Sequence, residues 1–63
     1  MKIGDKLVKA GDSLTINRYD NGFMVEVTGR DANENWETAR IVVSDIVAAN
    51  DLVKEWTVLP RES

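Results

Sequence analysis

Asn21-Gly22 lies between two runs of alternating residues, and nothing else in the chain restricts the fold as strongly. Asn and Gly tolerate the positive φ angles of a type I′ turn at little steric cost, so Tyr19-Asp20-Asn21-Gly22-Phe23 predicts a β-hairpin. Before the turn, Leu14, Ile16 and Arg18 alternate with Thr15, Asn17 and Tyr19. After it, Phe23, Val25 and Val27 alternate with Met24, Glu26 and Thr28. If Asn21-Gly22 is the loop, Ile16 faces Val27 and Asn17 faces Glu26. An Asp20-Asn21 loop moves the register by two and leaves every side chain on the same face, so the faces are better determined than the register.

A third strand is expected from Trp36 to Val43, reached through the polar segment Asp31-Ala32-Asn33-Glu34-Asn35. Antiparallel pairing that sets Val25 against Ile41 and Val27 against Ala39 gives four chemically sensible pairs on the other side: Met24 with Val42, Glu26 with Arg40, Thr28 with Thr38 and Arg30 with Trp36. Such cross-strand pairs contribute about 0.2–1 kcal/mol each. Ser44 then stands where a hydroxyl can cap a helix, and Asp45 complements its positive end. At helical spacing Ile46, Ala49, Leu52, Val53 and Trp56 share one sector, and Pro60 helps to close the segment. That sector is expected to lie on Leu14, Ile16, Phe23, Val25, Val27, Ala39, Ile41 and Val43. Trp56 is read as core.

Residues 1–13 are ambiguous. Ile3, Leu7 and Ala10 have helical spacing, whereas Lys6-Leu7-Val8-Lys9 suits a short edge strand, with Gly11-Asp12 as a turn in either case. The strand is slightly favoured because it would enlarge a thin core. The fold expected is therefore a single α+β domain spanning residues 1–63, a three- or four-stranded antiparallel β-meander with one C-terminal α-helix packed on one face.

Composition removes much chemistry. The chain has no Cys and no His, which excludes thiolate and imidazole metal ligands, disulfides and the usual general base. Residues 1–30 carry five basic and four acidic side chains, and 31–63 carry three basic and seven acidic, so the halves stand at +1 and −4. No basic stripe is present to track phosphates, which argues against nucleic acid as partner, including stacking of single strands on Tyr19 and Trp36. No apolar run approaches a membrane span, and Met1-Lys2-Ile3-Gly4-Asp5 lacks the apolar core of a secretory signal, so a cytoplasmic protein is expected.

Asp31-Ala32-Asn33-Glu34-Asn35-Trp36-Glu37 begins as a calcium loop does, with oxygen side chains at alternate positions. Its sixth position is Trp36 in place of Gly and its twelfth is Val42 in place of Glu, so a solvated hairpin loop is the better reading. Ser13, Ser44 and Ser63 have no evident base, and the four Gly are too scattered to cradle a phosphate. Neither catalysis nor a cofactor is expected. What remains is the sheet face opposite the helix, where Thr15, Asn17, Tyr19, Met24, Glu26, Thr28, Trp36, Thr38, Arg40 and Val42 gather. Tyr, Trp, Met and Arg are enriched at protein interfaces, although a one-sided wet face is also common in antiparallel sheets. Tyr19, Met24, Glu26, Trp36, Arg40 and Val42 are the candidate partner-binding residues, with Asp31, Glu34 and Glu37 steering encounter with a basic partner.

Residues 17–31 (Asn-Arg-Tyr-Asp-Asn-Gly-Phe-Met-Val-Glu-Val-Thr-Gly-Arg-Asp), followed by residues 36–43 (Trp-Glu-Thr-Ala-Arg-Ile-Val-Val), resemble a segment of small uncharacterised proteins carried by tailed bacteriophages. The resemblance covers under half the chain and carries no catalytic motif. It implies a phage product in the host cytoplasm that binds a host protein, such as an enzyme or defence factor with a basic patch, and inhibits or redirects it. The alternative is an assembly protein that pairs with itself, a homodimer through the exposed sheet face.

Overall fold

A computed structural model describes residues 2–61. A short 3-10 helix, Ile3–Asp5, precedes three strands, β1 (Lys9–Tyr19), β2 (Gly22–Arg30) and β3 (Trp36–Val43), and one helix, α1 (Ile46–Val58). The strands form one antiparallel sheet in the order β1-β2-β3, with α1 across one face. The α+β meander is thus the observed fold, with three strands. The β2–β3 register agrees with every expected pair, including Val25 with Ile41, Glu26 with Arg40 and Arg30 with Trp36.

The hairpin takes the other register. Leu14 faces Val27, Ile16 faces Val25, Asn17 faces Met24 and Tyr19 faces Gly22, so the loop is Asp20-Asn21. Among the described non-glycine residues only Glu34 has positive φ, which excludes a type I′ turn at Asp20-Asn21. Gly22 instead opens β2 at φ 155°, where a side chain would overlap the carbonyl oxygen of Val43. The glycine is needed for clearance against β3 and for its backbone angle, and both place it just after the loop.

No fourth strand forms at residues 6–9, and Gly11-Asp12 is not a turn. Val8 donates from its backbone to the Arg30 carbonyl at 2.9 Å, and the chain runs on into β1. Ala10 faces Gly29 and Leu14 faces Val27, so Gly11, Asp12 and Ser13 bulge out opposite Thr28 alone. The bulge brings the Lys9 carbonyl over Gly29, leaving no room there for a Cβ. It also frees the Gly11 carbonyl, which accepts from the Trp56 indole Nε1 at 3.0 Å.

Helix α1 starts one residue later than the Ser44 reading. Asp45 is the cap, its Oδ1 accepting from the Ala48 backbone at 2.9 Å, because an extended Asp at this position reaches the free N–H directly. Thirteen residues span about 20 Å. The helix leaves the end of β3 and ends with Trp56 over the β1 bulge, a diagonal course that buries Ala49 and Leu52, half-buries Val53 and Trp56, and leaves Ile46 exposed. It also leaves Ile16, assigned to the covered face, 41% exposed near the hairpin tip. Leu59 is extended before Pro60, as the proline ring demands, and the Pro60 carbonyl accepts from Ala10 at 2.8 Å.

The core is Val25, Val27, Ala39 and Ile41 from the sheet, Ala49 and Leu52 from α1, and Ile3, Leu7 and Ala10 from the N-terminal segment. Ile3 and Leu7 are 0% and 1% exposed, more buried than most strand residues, although neither lies in a strand or an α-helix. Leu14, Phe23, Val43, Trp56 and Leu59 pack around this cluster. No helix among the described residues is long and apolar enough to cross a membrane.

Candidate interaction face

Alternation along the strands sends the even-numbered residues of β2 and β3 away from α1. On that open face Arg40 Nε lies 3.3 Å from Glu26 Oε2, the Thr28 and Thr38 hydroxyls are 3.3 Å apart, and Arg30 Cζ sits 4.2 Å from the centre of the Trp36 ring. Met24 lies beside Val42 and Asn17. Tyr19, Trp36 and Val42 are 53%, 57% and 73% exposed, Arg40 is exposed, and Met24 and Glu26 are half-buried. These contacts stiffen Arg30, Trp36, Glu26 and Arg40 in place, so less side-chain freedom would be lost on docking.

The six candidate residues do not form one cluster. Trp36 begins β3, whereas Val42, Met24 and Tyr19 gather at the hairpin end, about 20 Å away at ~3.4 Å per residue. Glu26 and Arg40 lie between them. The face is an elongated band with an aromatic residue at each end, on a molecule 34 Å long and 18 Å wide.

Asp31 and Glu34 lie in the β2–β3 loop at the Trp36 end of this band, Glu37 at an odd position of β3 lies on the opposite face, and all three are occupied locally. Asp31 Oδ1 accepts from the backbone of Asn33 and Asn35 at 2.8 and 3.0 Å, shaping the β2–β3 loop. Glu34 takes φ 65°, and its carboxylate lies 3.4 Å from Lys9 Nζ. Glu37 Oε1 accepts from Thr38 N at 3.3 Å. Glu34 and Glu37 remain exposed while Asp31 is half-buried, so the outer pair reaches solvent more fully. Among the described residues no group of three or more carboxylates is placed to hold a metal ion.

The band is not flat. The β1 bulge opens a depression of about 320 Å³ lined by Gly11, Asp12, Ser13, Thr15, Glu26, Thr28 and Trp36. Gly11, Asp12 and Ser13 were not among the candidate residues. A glycine inside an alternating run is itself a bulge signal, and Gly11 carried it. The lining is three hydroxyls and two carboxylates beside the Trp36 ring, a mixture suited to a polar side chain with an apolar stem. Among the described residues no buried side-chain polar atom lacks a hydrogen-bond partner. Comparison with protein-family models, curated proteins and solved structures returns no match.

Proposed function

We propose that this chain is a non-enzymatic protein-binding module whose open sheet face is the docking surface. The observation that carries the reading is the band from Tyr19 to Trp36: three large side chains more than half exposed, with Glu26–Arg40 and Arg30–Trp36 held in place between and beside them. Aromatic and Arg side chains on a rigid strand scaffold are the usual anchors of protein interfaces. Exposed Glu34 at one end, with exposed Glu37 beside it on the reverse of β3, favours a partner with a basic patch, through rate of encounter more than through affinity.

On this reading the mechanism is occlusion: the module covers a working surface of its target. The phage resemblance of residues 17–43 makes a host protein the target to look for, in the host cytoplasm. The test is affinity capture from bacterial lysate by wild type, Tyr19→Ala and Trp36→Ala in parallel, each first shown to be folded. A protein retained by wild type and lost with both variants is the expected result. Equal retention by all three removes the face from the account.

A further inference from the structure

The two edges of the sheet are treated differently. The outer edge of β1 is interrupted by its bulge and covered near Ala10, where Pro60 accepts from Ala10 N at 2.8 Å and Arg61 forms a parallel bridge. Arg61 also clamps Asp12 Oδ1 through Nε at 3.0 Å and a second guanidinium nitrogen at 2.9 Å. Strand β3 has neither a bulge nor a covering segment, and its charged residues are Glu37 and Arg40. It pairs with β2 in unbroken register, contains no Pro, Gly or Lys, and among the described residues makes no backbone hydrogen bond beyond β2. Exposed edges of this kind are templates for another strand, and bulges, Lys, Pro or covering segments are the ordinary protections.

The direction of the free groups follows from the ladder. Arg30 presents its carbonyl to Val8 on the β1 side, so the even-numbered residues of β2 face β1 and the odd-numbered ones bond to β3. Opposite them, Trp36, Thr38, Arg40 and Val42 turn their N–H and C=O groups outward. Thr38 N accordingly finds only the neighbouring Glu37 carboxylate, at 3.3 Å. A row of alternating donors and acceptors is matched by extended backbone.

We propose that the occupant is a second copy of this chain, β3 against β3 in antiparallel, joining the two sheets into one. The strand is complementary to itself about a two-fold axis at Ala39. Ala39 then faces its own counterpart, Thr38 faces Arg40 of the second copy, and Trp36 faces Val42 of the second copy, twice over. The two most exposed apolar side chains of β3 thereby cover each other. Charge permits it: although the chain carries −3 overall, Glu37 balances Arg40 within β3, and each Arg40 already pairs with its own Glu26 on β2. The open faces of both copies point the same way, so the pairing shares Trp36 and Val42 with the docking face and leaves Tyr19, Met24 and Glu26 uncovered on each copy.

One edge strand buries less than the standard ~1,600 Å² interface, so the association is concentration-dependent and is read by sedimentation of the full chain from about 10 µM to about 1 mM. The expected result is a rise from monomer to dimer mass. Val42→Asp places an anion beside Trp36 of the second copy at a position 73% exposed in the single chain, and lowers the association constant about tenfold. Thr38→Pro removes an outward N–H and has the same effect. Tyr19→Ala, on β1, leaves association unchanged while weakening partner capture, which separates this edge from the docking face. At high concentration the amides of Thr38, Arg40 and Val42 exchange more slowly. A monomer throughout the range, or a dimer weakened by Tyr19→Ala and untouched by Thr38→Pro, overturns the proposal.

Discussion

Glu55, in the last turn of α1, accepts the Ile3 backbone N–H at 2.7 Å through Oε1 and the Gly4 N–H at 2.9 Å through Oε2. One carboxylate thus satisfies two donors at the start of the 3-10 helix and fastens the N-terminal segment to α1. Charge-assisted bonds of this kind outweigh neutral ones. Glu55→Ala strands both donors and is expected to lower stability by about 2 kcal/mol in urea unfolding. Faster amide exchange at Ile3 and Gly4 would locate the loss; an unchanged midpoint would contradict it.

The segment so fastened is part of the core. Leu7 is 1% exposed and packs with Val25, Val27 and Leu52 in one cluster. Leu7→Ala is expected to cost about 3 kcal/mol, a large share of the few kcal/mol that a chain of this size commands. Thermal melting by circular dichroism should show the variant largely unfolded at 37 °C, whereas Val8→Ala, at a half-exposed neighbour, should melt close to wild type.

Two positions report on the bulge. A Cβ at Gly29 would overlap the Lys9 backbone carbonyl, and backbone on both sides cannot give way cheaply. Gly29→Ala is expected to lose about 3 kcal/mol or to move the β1 register, visible as altered amide shifts from Lys9 to Leu14. Trp56→Phe keeps most of the ring but removes the donor to the Gly11 carbonyl, for an expected loss of about 1 kcal/mol.

The open face should behave oppositely. Tyr19→Ala and Trp36→Ala remove side chains that are 53% and 57% exposed, so each is expected to change stability by less than about 1 kcal/mol, the Trp36 variant losing its cation–π contact with Arg30. Loss of partner capture with an intact melting curve is the expected combination. A collapse in melting temperature would make these residues structural.

The strands that could be read in advance were those whose partners announce themselves chemically. Glu26 and Arg40, Thr28 and Thr38, and Arg30 and Trp36 are complementary only in the register they adopt, so β2–β3 pairing was legible from side chains alone. The hairpin register was not, because Gly22 serves the passage of the Val43 carbonyl and lies just outside the turn it was read to form. The N-terminal segment was least legible. Ile3 and Leu7 enter the core from a 3-10 turn and a loop, held by Glu55 and by the Arg30 carbonyl, and no local periodicity encodes contacts so distant in the chain. On the open face, the residues were placed on the correct side, but the separation of Trp36 from Tyr19 follows from strand length and pairing, which face assignment ignores.

Pro60 and Arg61 guard a strand that leaves the ribosome long before they do. Until they emerge, the bare margin of β1 has only its bulge to discourage wrong pairings. Without Pro60 and Arg61 the Ala10 N–H would lose its partner, and the two margins of the sheet would differ only by the bulge in β1.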